Sequence, residues 1–154
     1  YLKPIHTKWI ECLLNHKGVA LLSGSHDTTI NVWIYDSEFK FRFINKLKGH
    51  FQAVMCLSSV TASCVASGSA DKTIRVWNIF SGVEIFKIEQ SAFPDILLNL
   101  SHNCLVASSE NKLQFWDLDS KKEVKSNDEQ CSILVRLSST SFIAGGKSIK
   151  IIKK

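Results

Sequence analysis

Ser23, His6 and Asp27 are the residue types of a hydrolytic triad: a hydroxyl nucleophile, a base and a carboxylate that orients the base. The same types return as Ser67, His50 and Asp71, each 44 positions further on, and Trp33 returns as Trp77 at the same interval. The flanking sequence is copied with them, SGSHDTTINVW ending at Trp33 and SGSADKTIRVW ending at Trp77. Catalysis needs one nucleophile in one site, and a triad is not repeated in adjacent structural units. A set duplicated whole is the signature of a repeat module. Such a module cannot bury its own apolar faces, so its copies must stack.

No other reactive group assembles in the sequence. The five cysteines, Cys12, Cys56, Cys64, Cys104 and Cys131, form no CxxC pair, and none has a histidine neighbour. Four of them sit in apolar runs, as small buried thiols of a reducing compartment do. Metal-ligand spacing, converging carboxylates and a phosphate-cradling glycine loop are all absent. The chain is therefore expected to be no enzyme and to carry no metal or cofactor. Its net charge of +5 comes from 19 Lys and Arg against 14 Asp and Glu. The cations are scattered apart from Lys121-Lys122 and Lys150, Lys153 and Lys154, which reads as a solvated surface rather than a nucleic-acid tail.

No window approaches the ~18 apolar residues of a membrane helix, and no signal peptide is visible, so an intracellular, cytoplasmic or nuclear location is expected. Tyr1 opens the chain and Met55 is its single methionine, from which a fragment of a longer protein is expected.

The elements that must position these residues read as strands, since apolar residues recur with a period of two. The first unit gives strands over 9–14, 19–23, 29–34 and 39–47, and the second over 54–58, 64–67, 73–79 and 83–88. A third unit is eroded, with strands over 96–100, 104–107 and 112–118, a short piece at Glu123-Val124, and a loop-like polar stretch over 119–130. The last unit shows 133–137, 142–144 and 148–152 and no fourth strand. Residues Tyr1–Ile5 read as the remnant of a preceding fourth strand.

His6, Ser23, Asp27 and Trp33, and His50, Ser67, Asp71 and Trp77, together resemble the WD repeat of β-propellers. Gly49-His50 matches that family's Gly-His pair, and Trp116-Asp117 is a literal Trp-Asp pair. The resemblance implies an all-β fold: a partial propeller of four-stranded antiparallel blades over residues 6–47, 50–88, 91–126 and, incompletely, 131–154. Rings of this family usually have seven or eight blades, so the remainder is expected from the same parent chain. A second copy pairing into one ring is the lesser alternative.

The family's wiring implies that Trp, Ser, His and Asp hydrogen-bond in series inside each blade. The third unit departs from it, with Ala107 for the serine, Glu110 or Asn111 for the aspartate, and His102 in a turn instead of a leading histidine. In the fourth, Ile152 falls near the tryptophan position. These two units are expected to hold by apolar packing alone and to be the softer half.

The resemblance implies a non-catalytic scaffold that docks a partner or substrate protein within a larger complex. Cys12-Leu13 and Cys56-Leu57 are similar in spacing to units of ubiquitin-ligase receptors and signalling propellers. The docking rim would carry Lys8, Trp9 and His26 from the first blade and Phe51, Gln52 and Ala70 from the second. Trp9 and Phe51 are either aromatic anchors for a partner or packing between blades. The alternative function is an RNA- or chromatin-associated subunit, which requires Lys3, Lys8, Lys17, Lys46, Lys48 and Lys72 to share one face.

Overall fold

Every regular element among the described residues is a strand, and period-two alternation accounts for those with one buried face, such as β5. The computed structural model describes residues 6–38, 40–110, 112–128, 131–146 and 149–153. Four antiparallel sheets follow one another along the chain. The first is β1 (Ile10–His16), β2 (Ala20–Ser25), β3 (Ile30–Tyr35) and β4 (Phe41–Leu47). The second is β5 (Val54–Ser59), β6 (Cys64–Ser69), β7 (Thr73–Asn78) and β8 (Glu84–Glu89). The third is β9 (Ile96–Ser101), β10 (Cys104–Ser109), β11 (Lys112–Asp117) and β12 (Lys122–Asn127), and the fourth has β13 (Ile133–Arg136), β14 (Ser141–Gly145) and β15 (Ile149–Lys153). Each sheet is a meander in chain order, and no helix occurs among the described residues.

Several strand ends differ from the sequence reading: β1, expected over 9–14, runs on to His16 because Asn15 and His16 pair with Leu21 and Ala20, so the turn is shorter than residues 15–18 suggest. β2, β6 and β10 run two residues further, through the second serine of each SGS or ASS stretch, because both serines still pair across the hairpin. The polar stretch over 119–130 is not a loop throughout, since Lys122–Asn127 pairs with β11 along its length. Five of its six side chains are exposed and Asn127 is half-buried, so the strand shows no apolar alternation, and its existence is dictated by the open ladder of β11. The expected strand at Tyr1–Ile5 and the start of β4 at Phe39 lie outside the described residues.

The sheets stack face to face with their first strands adjacent, β1 beside β5, β5 beside β9 and β9 beside β13. Leu22, Ile30 and Val32 of the first sheet pack on Val54, Val65 and Trp77 of the second. Ala66, Ile74 and Val76 on the second sheet's other face meet Leu97, Leu105 and Trp116 of the third. Val106, Leu113 and Phe115 meet Phe142 and Ala144 of the fourth. Full burial of one such side chain contributes roughly 1.5–3 kcal/mol, so these three layers supply the driving force for the array.

Stacking leaves one face uncovered at each end. Leu13 and Phe43 are exposed on the first sheet, and Ile133, Val135 and Ile151 on the fourth.

Two local devices set the spacing. The β1–β2 hairpin turns through Lys17 (φ 51°) and Gly18 (φ 72°), both left-handed, which is the turn whose twist suits paired strands. Gly24 and Gly68 sit where each second strand presses on the next sheet. A Cβ on Gly24 would lie 2.6 Å from both Cys12 Sγ and Val54 Cγ1, and one on Gly68 would lie 2.6 Å from both Cys56 Sγ and Pro94 Cγ. Gly68→Ala is therefore expected to cost about 1–3 kcal/mol of stability through overpacking, measured by denaturant unfolding. Gly145→Ala, whose new Cβ would come no nearer than 3.8 Å to its closest neighbour, serves as the control and is expected to be near neutral.

Candidate functional site

The copied polar residues meet at one end of the sheets, where the strand-two to strand-three hairpins lie beside the connectors between sheets. In the second sheet the indole Nε1 of Trp77 donates to Ser67 Oγ at 2.8 Å. Ser67 Oγ lies 2.7 Å from His50 Nε2, and His50 Nδ1 lies 2.9 Å from Asp71 Oδ2. The carboxylate end fixes the tautomer: Nδ1 carries the proton toward Asp71, so Nε2 accepts from the serine hydroxyl. Asp71 also accepts from the Phe51 amide at 3.0 Å, the Thr73 amide at 3.0 Å and the Thr73 hydroxyl at 2.6 Å.

The first sheet repeats part of this. His6 Nε2 is 2.6 Å from Ser23 Oγ and His6 Nδ1 is 3.0 Å from Asp27 Oδ2, which also accepts from the Thr7 amide at 2.9 Å. Among the described residues no hydrogen bond joins Trp33 to Ser23. The Trp33 ring lies edge-on to His6 with centroids 6.5 Å apart, and edge-on to Phe43 at 6.1 Å. Phe43 is its cross-strand partner, in the place that Glu84 takes beside Trp77.

The bonds are triad-like in geometry but closed to substrate. Ser23 and Ser67 are buried, and in the second sheet the hydroxyl is occupied by an indole N–H. Burial pushes the Asp71 carboxyl up, but donation from Thr73, the Phe51 amide and His50 outweighs it and holds the group down to about 2. Asp27 is held well below the usual carboxylate range, burial again being overcome, here by donation from Thr29, the Thr7 amide and His6. Burial lowers His50 despite the pull of Asp71, keeping the ring neutral. The two hairpins each hold a non-glycine residue in the left-handed region, Thr28 at φ 72° and Lys72 at φ 64°, just after the aspartate that caps the turn.

The third sheet has no such relay. Ala107 pairs with Gln114 as Ser67 pairs with Arg75, so a methyl stands where the hydroxyl would be. The buried Trp116 Nε1 consequently has no partner, and neither amide atom of Gln90, on the connector that leads into this sheet, has one. Asn111, one of the two candidates for the aspartate position, lies outside the described residues. The expectation that the third and fourth sheets hold by apolar packing alone is not met. Asn99 Nδ2 donates to the Ser59 and Val60 carbonyls, both at 2.9 Å, Ser108 Oγ donates to the Cys131 carbonyl at 3.1 Å, and Arg136 Nη1 reaches the Asn99 carbonyl at 3.4 Å.

Similar ties join the first two sheets: His16 bridges Ser59 Oγ and the Ala62 carbonyl, and Asn45 Nδ2 donates to the Ile79 and Phe80 carbonyls. Sequence reasoning missed all of these. Their signal was a polar residue interrupting an apolar strand, as in ILLNLS and FRFINKL.

All five cysteines are free, and burial pushes Cys12 up to about 12 and Cys56 well above its ordinary value. No group of three or more metal-ligating side chains occurs among the described residues.

Around the relays, the rim residues divide cleanly. Trp9 is 83% exposed and Phe51 82% exposed, so neither packs between sheets. Lys8, His26 and Gln52 are also exposed and Ala70 half-buried. The backbone around them is fixed: Ser25 Oγ donates to the Lys8 carbonyl and the His26 amide to the Trp9 carbonyl, as Ser69 Oγ donates to Gln52 and the Ala70 amide to Ala53 in the second sheet. His26 Nε2 is 2.9 Å from Glu11 Oε2, and the Arg75 guanidinium lies 5.7 Å from the centre of the Phe51 ring. The lysines do not share one face. Lys17 sits in the β1–β2 turn at the opposite end from Lys8 and Lys72, and Lys3 lies outside the described residues.

Residues 3–33 and 41–78 match the family described as WD domain, G-beta repeat. The solved structure of U3-55K superposes on 96% of this chain with a TM-score of 0.82 at 16% sequence identity, a likeness of fold. This chain spans 47% of that one. Among curated proteins no match is found. No helix among the described residues is long and apolar enough to cross a membrane.

Two outcomes follow for the relays. Ser67→Ala strands the Trp77 indole and the His50 ring and is expected to cost about 1–3 kcal/mol, whereas Ala107→Ser offers Trp116 an acceptor and is expected to stabilise by about 1 kcal/mol; equilibrium unfolding reads both. The acid limb carries the second outcome. Asp71 ionises more readily folded than unfolded, so its contribution is full above its ordinary value of 3.8 and fades as pH falls toward about 2. His50, lowered on folding, loses its contribution as pH falls below 6.5 and protonation favours the unfolded chain. Melting temperature should drop in acid through both windows, and Asp71→Asn should flatten the lower one.

Proposed function

We propose that this chain, which carries two WD repeats and folds as part of a WD-repeat propeller, is a non-catalytic platform that docks a partner protein on the rim formed by its connectors and strand-two to strand-three hairpins. WD repeats as a family are protein-interaction scaffolds. The observation that carries the reading is the solvent exposure of two large aromatics, Trp9 and Phe51, on backbone pinned by hydrogen bonds. Aromatic side chains dominate interface energetics and bind with little loss of conformational freedom when their backbone is already ordered. The non-catalytic reading is supported by the buried serines, the raised Cys12 and Cys56 thiols and the relay carboxylates already occupied by donors. Recognition within a ubiquitin-ligase or signalling assembly is the finer form of this reading, and further blades of the parent chain are its natural cover for the two apolar end faces.

A photo-crosslinker in place of Phe51 tests it, with the same group in place of Phe80, exposed on the opposite end, as the control. In cell extract, protein crosslinks at position 51 that are absent at position 80 are the expected result. Crosslinks to RNA at position 51 would replace the platform with the nucleic-acid reading, and equal labelling at both positions would leave the rim with no special role.

A further inference from the structure

The two repeat copies act as an internal control that separates what the fold needs from what it does not. Hydrogen bonds fix the correspondence. Thr7 and Phe51 donate their amides to the capping aspartates, Lys8 and Gln52 accept from the second serines, and Trp9 and Ala53 accept from the following hairpin amides. At these three matched positions the backbone does the same work in both sheets while the side chains differ completely. The relay residues recur; Trp9 and Phe51 do not. The blade geometry therefore does not require them, although each presents a large apolar ring to water.

Charge on this end is also segregated. Lys8, Lys48 and Lys72 are exposed around the first two sheets, and the carboxylates there already have donors: Asp27 and Asp71 in the relays and Glu11 at His26. Among the described residues around the third and fourth sheets the exposed carboxylates Asp95, Glu110 and Asp128 stand against Lys112 and Lys150, while in the second sheet Glu89, on β8, is paired with Lys87. Asp95 and Glu110 are close enough for their charges to oppose each other. The aromatic sector is the cationic one.

Building on the platform reading, we infer that the Trp9–Phe51 sector recognises an acidic, extended segment of another protein that carries apolar side chains. The two rings take the apolar groups, and Lys8, Lys48 and Lys72 attract and orient the carboxylates. A basic or uncharged segment would gain the rings but not the field, and a basic one would also be repelled by the lysines.

Selection of short displayed random peptides on the chain, followed by sequencing, tests this. Enriched peptides are expected to combine net negative charge with aromatic or aliphatic residues. Their binding should weaken at least about tenfold for Trp9→Ala or Phe51→Ala, the scale of an anchor side chain. It should weaken similarly for Lys8→Glu with Lys72→Glu, and should decline with added salt. Unchanged melting temperatures would show that these surface variants still fold. Enriched peptides without acidic character that still depend on Trp9 and Phe51 would overturn the acidic partner and leave the platform standing. No enrichment, or binding indifferent to both aromatics, would overturn both. A single-stranded oligouridylate that outcompetes the selected peptides at the same rim would assign the lysines to nucleic acid instead.

Discussion

Burial of the sheets' apolar faces against one another is the constraint on which the rest of this molecule depends. A four-stranded meander has two apolar faces and cannot cover either by itself, so each sheet is stable only as one layer of a stack. The three internal layers, built on Trp77, Trp116 and Phe142, meet that need. The hydrogen-bond relays are subordinate to it. Packing Trp77 into the layer buries an indole N–H that must then find an acceptor, and Ser67, His50 and Asp71 carry that obligation out to the rim. The third sheet keeps the tryptophan but not the chain of acceptors, and the result is an orphaned N–H at Trp116 and an orphaned amide at Gln90.

Most of the fold was legible because the repeat states it twice. Trp33 and Trp77, with their flanking strands, locate third strands, and the serine and aspartate that precede each tryptophan locate the hairpin. What escaped the sequence was whatever the core does not pattern. β12 has no apolar alternation because it is exposed over nearly its whole length, so only Glu123-Val124 read as strand within a polar stretch. The ties of His16, Asn45 and Asn99 are solitary polar residues whose partners are backbone carbonyls of the neighbouring sheet, a relation no local pattern encodes. Trp33 shares its sequence context with Trp77, yet the cross-strand neighbour differs, Phe43 against Glu84, and the indole settles edge-on to the ring.

The candidate site is a rim rather than a cavity, and the relays make it stiff. Each aspartate binds a connector amide and a hairpin hydroxyl at once, so connector and hairpin are locked together where Phe51 and Thr73 stand. Rigid backbone beneath an exposed aromatic is a low-entropy way to offer contact area. Exposure of Trp9 and Phe51 could not be read from the sequence, since an aromatic at the start of a strand serves equally well as a wedge between sheets.

The uneven distribution of the relays has a mechanical consequence. Pulling on the two ends of this chain would load the sheets in series, and the yield point would be set by the weakest layer rather than by the mean. The third sheet lacks an acceptor for its tryptophan, where the second has a complete relay. Under tension the third sheet should therefore yield before the second, the one with Phe51 on its rim.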